Sequence, residues 1–280
     1  MTARVQAWAR HLSPLTVRVL SGGLLLGATV ALLAIGLYGI YAIAVVAGGV
    51  ALWEFRQLSD RWGFRAPGWL LYPLGLYFAF SGTILKALPL DLVLAIALVA
   101  GLSVFLVLPG PREGIARWAM GLGGALYIGL PFNYYLLIYR GAHGAPGLAW
   151  LLLIVVTVVV SDAVALLIGQ RLGRRGFFPA ISPKKTVEGA MAGLLCSVPV
   201  MLVGGVLLLH LHPLHSALLG LLIGLTAQIG DLVESQMKRL AGVKDSSRVI
   251  PGHGGILDRM DSAMFPPIVV FLYTHYLGLL

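Results

Sequence analysis

The sequence predicts an all-α integral membrane protein, a polytopic bundle of about nine transmembrane helices. The first observation is composition: 59% of the 280 residues are apolar and only 11% are charged, whereas soluble domains are about 45–50% apolar and about 25% charged. The same hydrophobicity excludes a disordered chain. The second observation is that the apolar residues form runs of the length, about 20 residues, that crosses a bilayer as a helix.

The predicted spans follow from these apolar runs in chain order. The region 19–53 is too long for one crossing and divides at residues 36–39 into two helices. The remaining spans are predicted at 68–85, 88–108, 115–139, 147–169, 189–210, 213–235 and 262–280. Two long polar gaps remain, at 171–188 and 236–261. We therefore expect an N-terminal region of about five spans, residues 1–140, that serves as scaffold, and a C-terminal catalytic region of about four spans, residues 141–280.

Basic residues predict how these helices are oriented. The chain has 20 Lys and Arg against 11 Asp and Glu, a net charge of +9. If the N-terminus is cytoplasmic and the spans alternate, only Lys86 and Arg140 among the basic residues fall on the other side. That bias is typical of cytoplasmic loops. The positive charge therefore indicates membrane topology and anionic headgroups, and we expect no nucleic acid partner.

Carboxylates are informative because a mid-membrane Asp costs about 3 kcal/mol and usually has a function. Glu54, Asp60, Asp91 and Glu113 are interpreted as ordinary loop or helix-end charges. The other seven acids lie in or beside the cytoplasmic ends of the last four predicted spans: Asp162, Glu188, Asp231, Glu234, Asp245, Asp258 and Asp261.

One polar stripe lies near the end of the eighth span. Gln228, Asp231 and Ser235 recur at three- and four-residue spacing and therefore share one helical face. This pattern predicts a polar face directed to the protein interior. The alternative is a helix end that meets water, with Asp231 solvated or paired with Lys238.

A glycine-rich run, residues 251–261, precedes the ninth span. Its glycines, which include Gly254 and Gly255 beside His253, permit backbone conformations that direct amides at an anion. Asp258 and Asp261 are three residues apart and can face one direction. Two carboxylates beside a phosphate-sized nest suit magnesium. The alternative is a turn followed by a helix that Asp258 caps.

Two further segments admit two interpretations each. Asp162 lies inside the sixth span, where it either contacts a nucleotide or forms an ion pair with a nearby Arg or Lys side chain. The segment that opens the seventh span is either a triphosphate-binding site or routine helix capping with topological lysines. Its candidate residues are Ser182, Lys184, Lys185, Thr186 and Glu188.

The run from Ser235 to Asp261 resembles the signature of phosphatidate cytidylyltransferases, which are also called CDP-diacylglycerol synthases. Every charged position of the signature is filled, and residues 182–189 are similar to a second block of the family. The positions that carry the resemblance are Lys238, Arg239, Lys244, Asp245, His253, Gly254, Gly255, Asp258, Arg259 and Asp261.

The resemblance implies a bacterial inner-membrane enzyme that transfers CMP from CTP to phosphatidate. It implies Asp231 and Asp258 as ligands of magnesium, with Asp261 as a third ligand or as a residue that supports the ligands, and potassium near the same carboxylates. Lys184, Lys185, Lys238, Arg239, Lys244 and Arg259 would hold phosphate oxygens, while His253, Gly254 and Gly255 would shape the leaving-group pocket. Asp162 would contact the nucleotide beside Ser182, Thr186 and Glu188. Glycine-spaced membrane helices also suggest a homodimer.

Two other functions fit parts of the pattern. A CTP-dependent lipid kinase of the polyprenol or phytol type would transfer the γ-phosphate, but the intact signature favours nucleotidyl transfer. An ion-coupled transporter would also use buried acids. Transporters commonly have repeated halves, whereas these acids lie in one half only.

Overall fold

The computed structural model describes residues 13–107, 111–142 and 145–280. Within these ranges the chain forms α-helices, one 3₁₀ turn and two isolated β-bridges, with no strand. The helices are α1 (Pro14–Ala34), α2 (Leu37–Arg61), α3 (Gly68–Phe80), α4 (Leu90–Val107), α5 (Pro111–Gly141), α6 (Ala145–Leu172), α7 (Val187–Leu209), α8 (Pro213–Leu240), α9 (Leu257–Met260) and α10 (Pro266–Tyr276), and the 3₁₀ turn is Asp261–Ala263. Arg4 and Arg10, which contribute to the predicted orientation, lie outside the described residues.

The helix lengths confirm the predicted fold class. Six helices, α1, α2, α5, α6, α7 and α8, are long and apolar enough to cross a membrane. Helices α3 and α4 are shorter apolar helices, and α10 has 11 residues. The chain is thus an integral membrane protein with an all-α bundle, while the count of nine crossings stays a prediction.

The described part of the chain divides into two compact units, and the first comprises the described residues up to 133 together with 240–260. Small residues bring its helices together: a Cβ atom at Gly75 would lie 2.6 Å from the Leu52 side chain, and one at Gly124 would lie 2.3 Å from Phe55. The segment between α8 and α9, residues 241–256, belongs to this unit, and we call it the signature loop. Part of the predicted catalytic region therefore folds with the N-terminal helices.

The second unit comprises residues 134–239 and 261–280. Helices α6 and α7 pack closely because Gly189 and Gly193 remove side chains from the contact. A Cβ atom at these positions would lie 2.5 Å from the Ala165 carbonyl oxygen and 2.7 Å from the Ser161 carbonyl oxygen, respectively. Ser161 Oγ also donates to the Gly193 carbonyl at 3.0 Å. This packing places the C-terminal half of α6 beside the start of α7.

Candidate active site

The signature loop is shaped by two glycines with positive φ. Gly252 has φ 76° and Gly254 has φ 85°, a conformation that L side chains rarely adopt. Two hydrogen bonds close the turn: Ile250 N donates to the Gly254 carbonyl at 2.9 Å, and His253 N donates to the Ile250 carbonyl at 3.0 Å. The predicted need for glycine in this run is confirmed at both positions.

The loop lines a cavity of about 770 Å³ in the first unit. We call it the phosphate cavity, and its lining residues are Arg18, Lys244, Asp245, Arg248, Ile250, Pro251, Gly252, His253, Gly254 and Arg259. Four Arg and Lys side chains face a single carboxylate there, so the cavity suits an anion carrying several negative charges. Lys244, His253, Gly254 and Arg259, all predicted as site residues, are brought together. Arg18 of α1 and Arg248 were not predicted to take part.

His253 is oriented by helix α1. Its Nδ1 lies 2.9 Å from Ser21 Oγ, and that hydroxyl lies 2.8 Å from the Pro251 carbonyl oxygen. A hydroxyl has one hydrogen to donate, and the carbonyl can only accept. With the Ser21 hydrogen directed at Pro251, Nδ1 of His253 donates to Ser21 Oγ, and this bond fixes the orientation of the ring.

Asp258 is buried beneath the loop rather than placed as a helix cap. Its Oδ2 accepts hydrogen bonds from Ser246 N, Ser246 Oγ and Gly255 N, each at 2.8 Å. Helix α9 begins at Leu257, so Asp258 lies inside the helix, and its donors precede it in the chain. The capping interpretation is therefore wrong: Asp258 Oδ2 holds two parts of the signature loop together.

Glu54 of α2 is the main residue that sequence reasoning missed. Its side chain has no exposed surface, and its carboxylate accepts hydrogen bonds from the signature loop and from the first residue of α9. The interpretation of Glu54 as an ordinary helix-end charge is wrong. A signal was present, because Glu54 stands between Trp53 and Phe55 in an apolar helix, where a carboxylate is costly.

The other three acids of that group match the prediction. Asp60 is 55% exposed and lies 4.0 Å from the Arg65 side chain. Glu113 forms an exposed pair with Arg117, one turn along α5. Asp91 is exposed in the first turn of α4.

In the second unit, Asp231 lies on the predicted polar face of α8. It forms an ion pair with Lys185 and accepts a hydrogen bond from Ser235 Oγ at 3.2 Å. Gln228 Nε2, on the same face, donates to the Ala190 carbonyl at 2.8 Å. The inward-facing stripe is confirmed. The Asp231 carboxylate pairs with Lys185, while the Lys238 ammonium pairs with the buried Glu234.

Asp261 lies close to Asp231 because the 3₁₀ turn presses against α8. A Cβ atom at Gly230 would lie 2.4 Å from the Asp261 carbonyl oxygen, so only glycine permits this approach. Burial and the nearby Asp231 carboxylate raise the pKa of Asp261 to about 7. Asp162 of α6 also interacts electrostatically with Asp231 and Lys185. The second unit thus gathers three of the predicted carboxylates.

The predicted lysine segment folds as a loop that its own backbone closes. Phe177 N donates to the Lys185 carbonyl at 2.8 Å, and Thr186 caps α7 by accepting from Gly189 N at 3.2 Å. Glu188 accepts from the backbone amides of Arg174 at 3.0 Å and Arg175 at 3.3 Å.

The capping interpretation is therefore confirmed for Thr186, whereas Glu188 holds the preceding loop through the amides of Arg174 and Arg175. Lys184 is exposed, and Lys185 is already paired with Asp231. Ser182 N donates to the Phe178 carbonyl at 3.0 Å, and Arg239 Nε donates to the Ile181 carbonyl at 3.1 Å.

The carboxylates fit magnesium only in part. Across the described ranges, no three Asp, Glu, His or Cys side chains form a group that could hold a metal ion. Magnesium is commonly bound by one or two carboxylates, with water and substrate phosphates completing its octahedron. Asp231 and Asp261 meet that smaller requirement, because the 3₁₀ turn brings the two carboxylates close together against α8.

Comparison with known proteins identifies relatives of the chain. A sequence model of the cytidylyltransferase family matches residues 16–277. A phosphatidate cytidylyltransferase of Staphylococcus saprophyticus is 34% identical over 221 residues, which are 77% of this chain and 82% of that protein. A phosphatidate cytidylyltransferase of Mycobacterium tuberculosis is 40% identical over 118 residues, which are 42% of this chain and 36% of that protein.

Coverage differs among these relatives. The phosphatidate cytidylyltransferase of Staphylococcus epidermidis is 40% identical over 162 residues, or 58% of this chain. The matched region spans 60% of that protein's length. The family match, by contrast, includes both the phosphate cavity and the three carboxylates of the second unit, and it extends over nearly all of the described helices. The chain therefore belongs to the cytidylyltransferase family.

Proposed function

We propose that the protein transfers CMP from CTP to phosphatidate, giving CDP-diacylglycerol and pyrophosphate. The observation that carries this proposal is the phosphate cavity, in which four cationic side chains surround a space of about 770 Å³. Family membership and the names of the relatives support the choice of substrates. The cationic lining supports a substrate that brings several phosphates.

The reaction joins two anions, so cations matter more than a strong base. A phosphate oxygen of phosphatidate attacks the α-phosphorus of CTP. The bond from that phosphorus to the bridging oxygen of the β-phosphate breaks, and pyrophosphate leaves with this oxygen. Lys244 and Arg259 of the cavity are proposed to hold the leaving phosphates, with Arg18 and Arg248 beside them. His253, with Gly254 and Gly255, shapes this part of the site.

Magnesium is proposed as the cofactor, with Asp231, Asp258 and Asp261 as candidate ligands, of which it would need one or two beside water and substrate phosphates. Bound there, it would neutralise charge on the reacting phosphates. Potassium is proposed near the same carboxylates. Asp258 is already fixed through Oδ2 by Ser246 and Gly255, which supports a ligand of defined position.

Residues of the second unit are also proposed to bind the nucleotide. Lys184 and Lys185, with Lys238 and Arg239, would bind its phosphates, and Asp162 would contact the nucleotide. Ser182, Thr186 and Glu188 are proposed to act by shaping the loop that carries the two lysines. Their backbone contacts, given above, support this indirect role.

The setting of the reaction is proposed from charge and composition. We place the protein in a bacterial plasma membrane, with its N-terminus and active site on the cytoplasmic side. CTP would enter from the cytoplasm, while phosphatidate would arrive with its acyl chains still in the bilayer. A homodimer is proposed as the assembly, because Gly23 and Gly27 of α1 have the spacing that lets membrane helices pack closely and no heavy atom lies within 4 Å of a Cβ at either position.

The test is pyrophosphate release by the purified protein in vesicles with CTP and magnesium. Release should depend on added phosphatidate and should match CDP-diacylglycerol formed. Omission of the lipid, and its replacement with diacylglycerol, are the controls. A lipid-dependent release of CDP would favour the kinase instead, and absence of any nucleotide turnover would contradict both enzyme assignments.

A further inference from the structure

We propose that Glu54 is a positioning residue for CMP transfer, and this proposal rests on the proposed function. From membrane helix α2, its buried carboxylate holds two separated parts of the signature region in the shape that the phosphate cavity requires. No sequence motif includes Glu54, and it lies about 190 residues before its partners in the chain.

Four donors, from the loop and from the start of α9, surround the Glu54 carboxylate. On one side, Ser247 Oγ donates to Oε1 at 2.6 Å. Ser246 Oγ lies 3.1 Å from Oε2, and its single hydrogen is shared between Oε2 and Asp258 Oδ2, which lies at 2.8 Å. On the other side, Ile256 N donates to Oε1 at 3.0 Å and Leu257 N donates to Oε2 at 2.7 Å. Each carboxylate oxygen therefore binds one donor from each side, and the carboxylate bridges the two.

The bridged segments carry the lining of the phosphate cavity. Lys244 precedes the serine pair by two residues, and Arg248 follows it directly. Arg259 follows Leu257 by two residues, and the turn with His253 lies between the two attachments. A change in the position of the Glu54 carboxylate would therefore move the backbone from which the cationic side chains extend.

The bridge is tightly packed. A Cβ atom at Gly255 would lie 2.1 Å from Ser246 Oγ and 2.4 Å from Glu54 Oε1. The loop thus encloses the carboxylate with no room for a side chain at this position. Because Glu54 has no exposed surface, its hydrogen bonds cannot be replaced by bulk water without opening the loop.

The same network reaches Asp258, a proposed magnesium ligand. Ser246 Oγ lies 3.1 Å from Glu54 Oε2 and 2.8 Å from Asp258 Oδ2. One hydroxyl thus lies between the two carboxylates. Glu54 acts on Asp258 through this serine and does not itself touch the reacting atoms.

The first test is Glu54→Gln, which keeps the size of the side chain but replaces one acceptor oxygen with an amide NH₂ group. That group would face hydroxyl and amide donors. We expect kcat to fall about 100-fold, as for other small misplacements of reacting groups, and the KM for CTP to rise, because the cationic side chains of the phosphate cavity move with the loop. Hydrogen exchange should rise in peptides covering 244–259, while the thermal midpoint stays near that of the wild type.

Two further variants keep the test decisive. Asp60 lies on the same helix and its side chain is exposed, so the variant Asp60→Asn should behave as the wild type. Ser247→Ala removes one donor to Glu54 without altering α2, so it tests the bridge even where Glu54→Gln fails to fold. If Glu54 and Ser247 act together, the variant that carries both Glu54→Gln and Ser247→Ala should lose no more kcat than Glu54→Gln alone.

Wild-type kcat in both Glu54→Gln and Ser247→Ala would overturn the proposal. So would exchange that rises equally in every helix, because Glu54 would then be a general stabilising residue. If the wild type itself makes no pyrophosphate, the proposed function fails. The exchange comparison would still be informative in that case, since unchanged exchange in 244–259 would show that Glu54 does not hold the loop.

Discussion

At the scale of single residues, similar acids have different environments. Asp258 is held by three donors from its own loop, and Asp261 lies near two other carboxylates. Glu54 is enclosed by the loop, whereas Asp60, on the same helix, is exposed. Burial and hydrogen bonding, rather than residue type, separate the candidate active-site acids from surface charges.

Asp258→Asn should abolish CMP transfer while the protein still inserts and folds. The asparagine carbonyl oxygen can accept the hydrogen bonds that Oδ2 now accepts, so the loop keeps its shape, but the negative charge for the cation is lost. Pyrophosphate release and the thermal midpoint measure the two effects. Asp91→Asn, an exposed acid on α4, is the control and should be fully active. Near-normal turnover of Asp258→Asn at ordinary magnesium would contradict the assignment.

The glycine at 255 gives a second prediction at this scale. Gly255→Ala should remove most activity, because its Cβ would overlap both Ser246 Oγ and Glu54 Oε1. Gly49→Ala is the matched control on α2, since no heavy atom lies within 4 Å of a Cβ there. Steady-state kcat of the two variants is the measurement. Equal activity would show that the loop readily shifts around position 255.

At the scale of elements, helix α1 is more than a membrane anchor. Arg18 lines the phosphate cavity, and Ser21 orients the ring of His253. The sequence predicted only a topological role for Arg18, since positive charge at the start of a first span is expected in any membrane protein. Its contribution to the cavity depends on a contact with residues more than 200 positions later.

Arg18→Gln should therefore weaken phosphate binding. Hydrogen bonds to charged groups contribute about 1.5–3 kcal/mol, so the KM for CTP should rise about tenfold or more. The change should be smaller at high ionic strength, where the wild-type attraction is itself screened. Lys86→Gln, at an exposed position outside the cavity, is the comparison. An unchanged KM would exclude Arg18 from the substrate site.

Local pattern explains which elements were predictable. The positive-φ glycines of the signature loop, the polar face of α8 and the cap of α7 depend on neighbours a few residues away, and each was predicted. The last span was predicted as one helix over 262–280, whereas the chain forms a 3₁₀ turn before α10 begins at Pro266. Proline is favoured at the first turn of a helix, which accounts for that start.

At the scale of the whole molecule, fold class and family followed from hydrophobicity and one dense motif. The residues that contact that motif from other helices could not be predicted in this way. Glu54 and Arg18 lie in the N-terminal region that was predicted to be scaffold, and no periodicity links them to residues 244–259. Their roles arise from tertiary packing, which places the signature loop in the same unit as α1 and α2.

The most direct measurement follows the α-phosphate and the γ-phosphate of CTP separately. Purified protein in phosphatidate-containing vesicles is given CTP labelled on the α-phosphorus, and in a parallel reaction CTP labelled on the γ-phosphorus. CMP transfer predicts that the α label enters the lipid product and that the γ label leaves as pyrophosphate in equal amount. Appearance of the γ label in lipid, with the α label left in CDP, would contradict it.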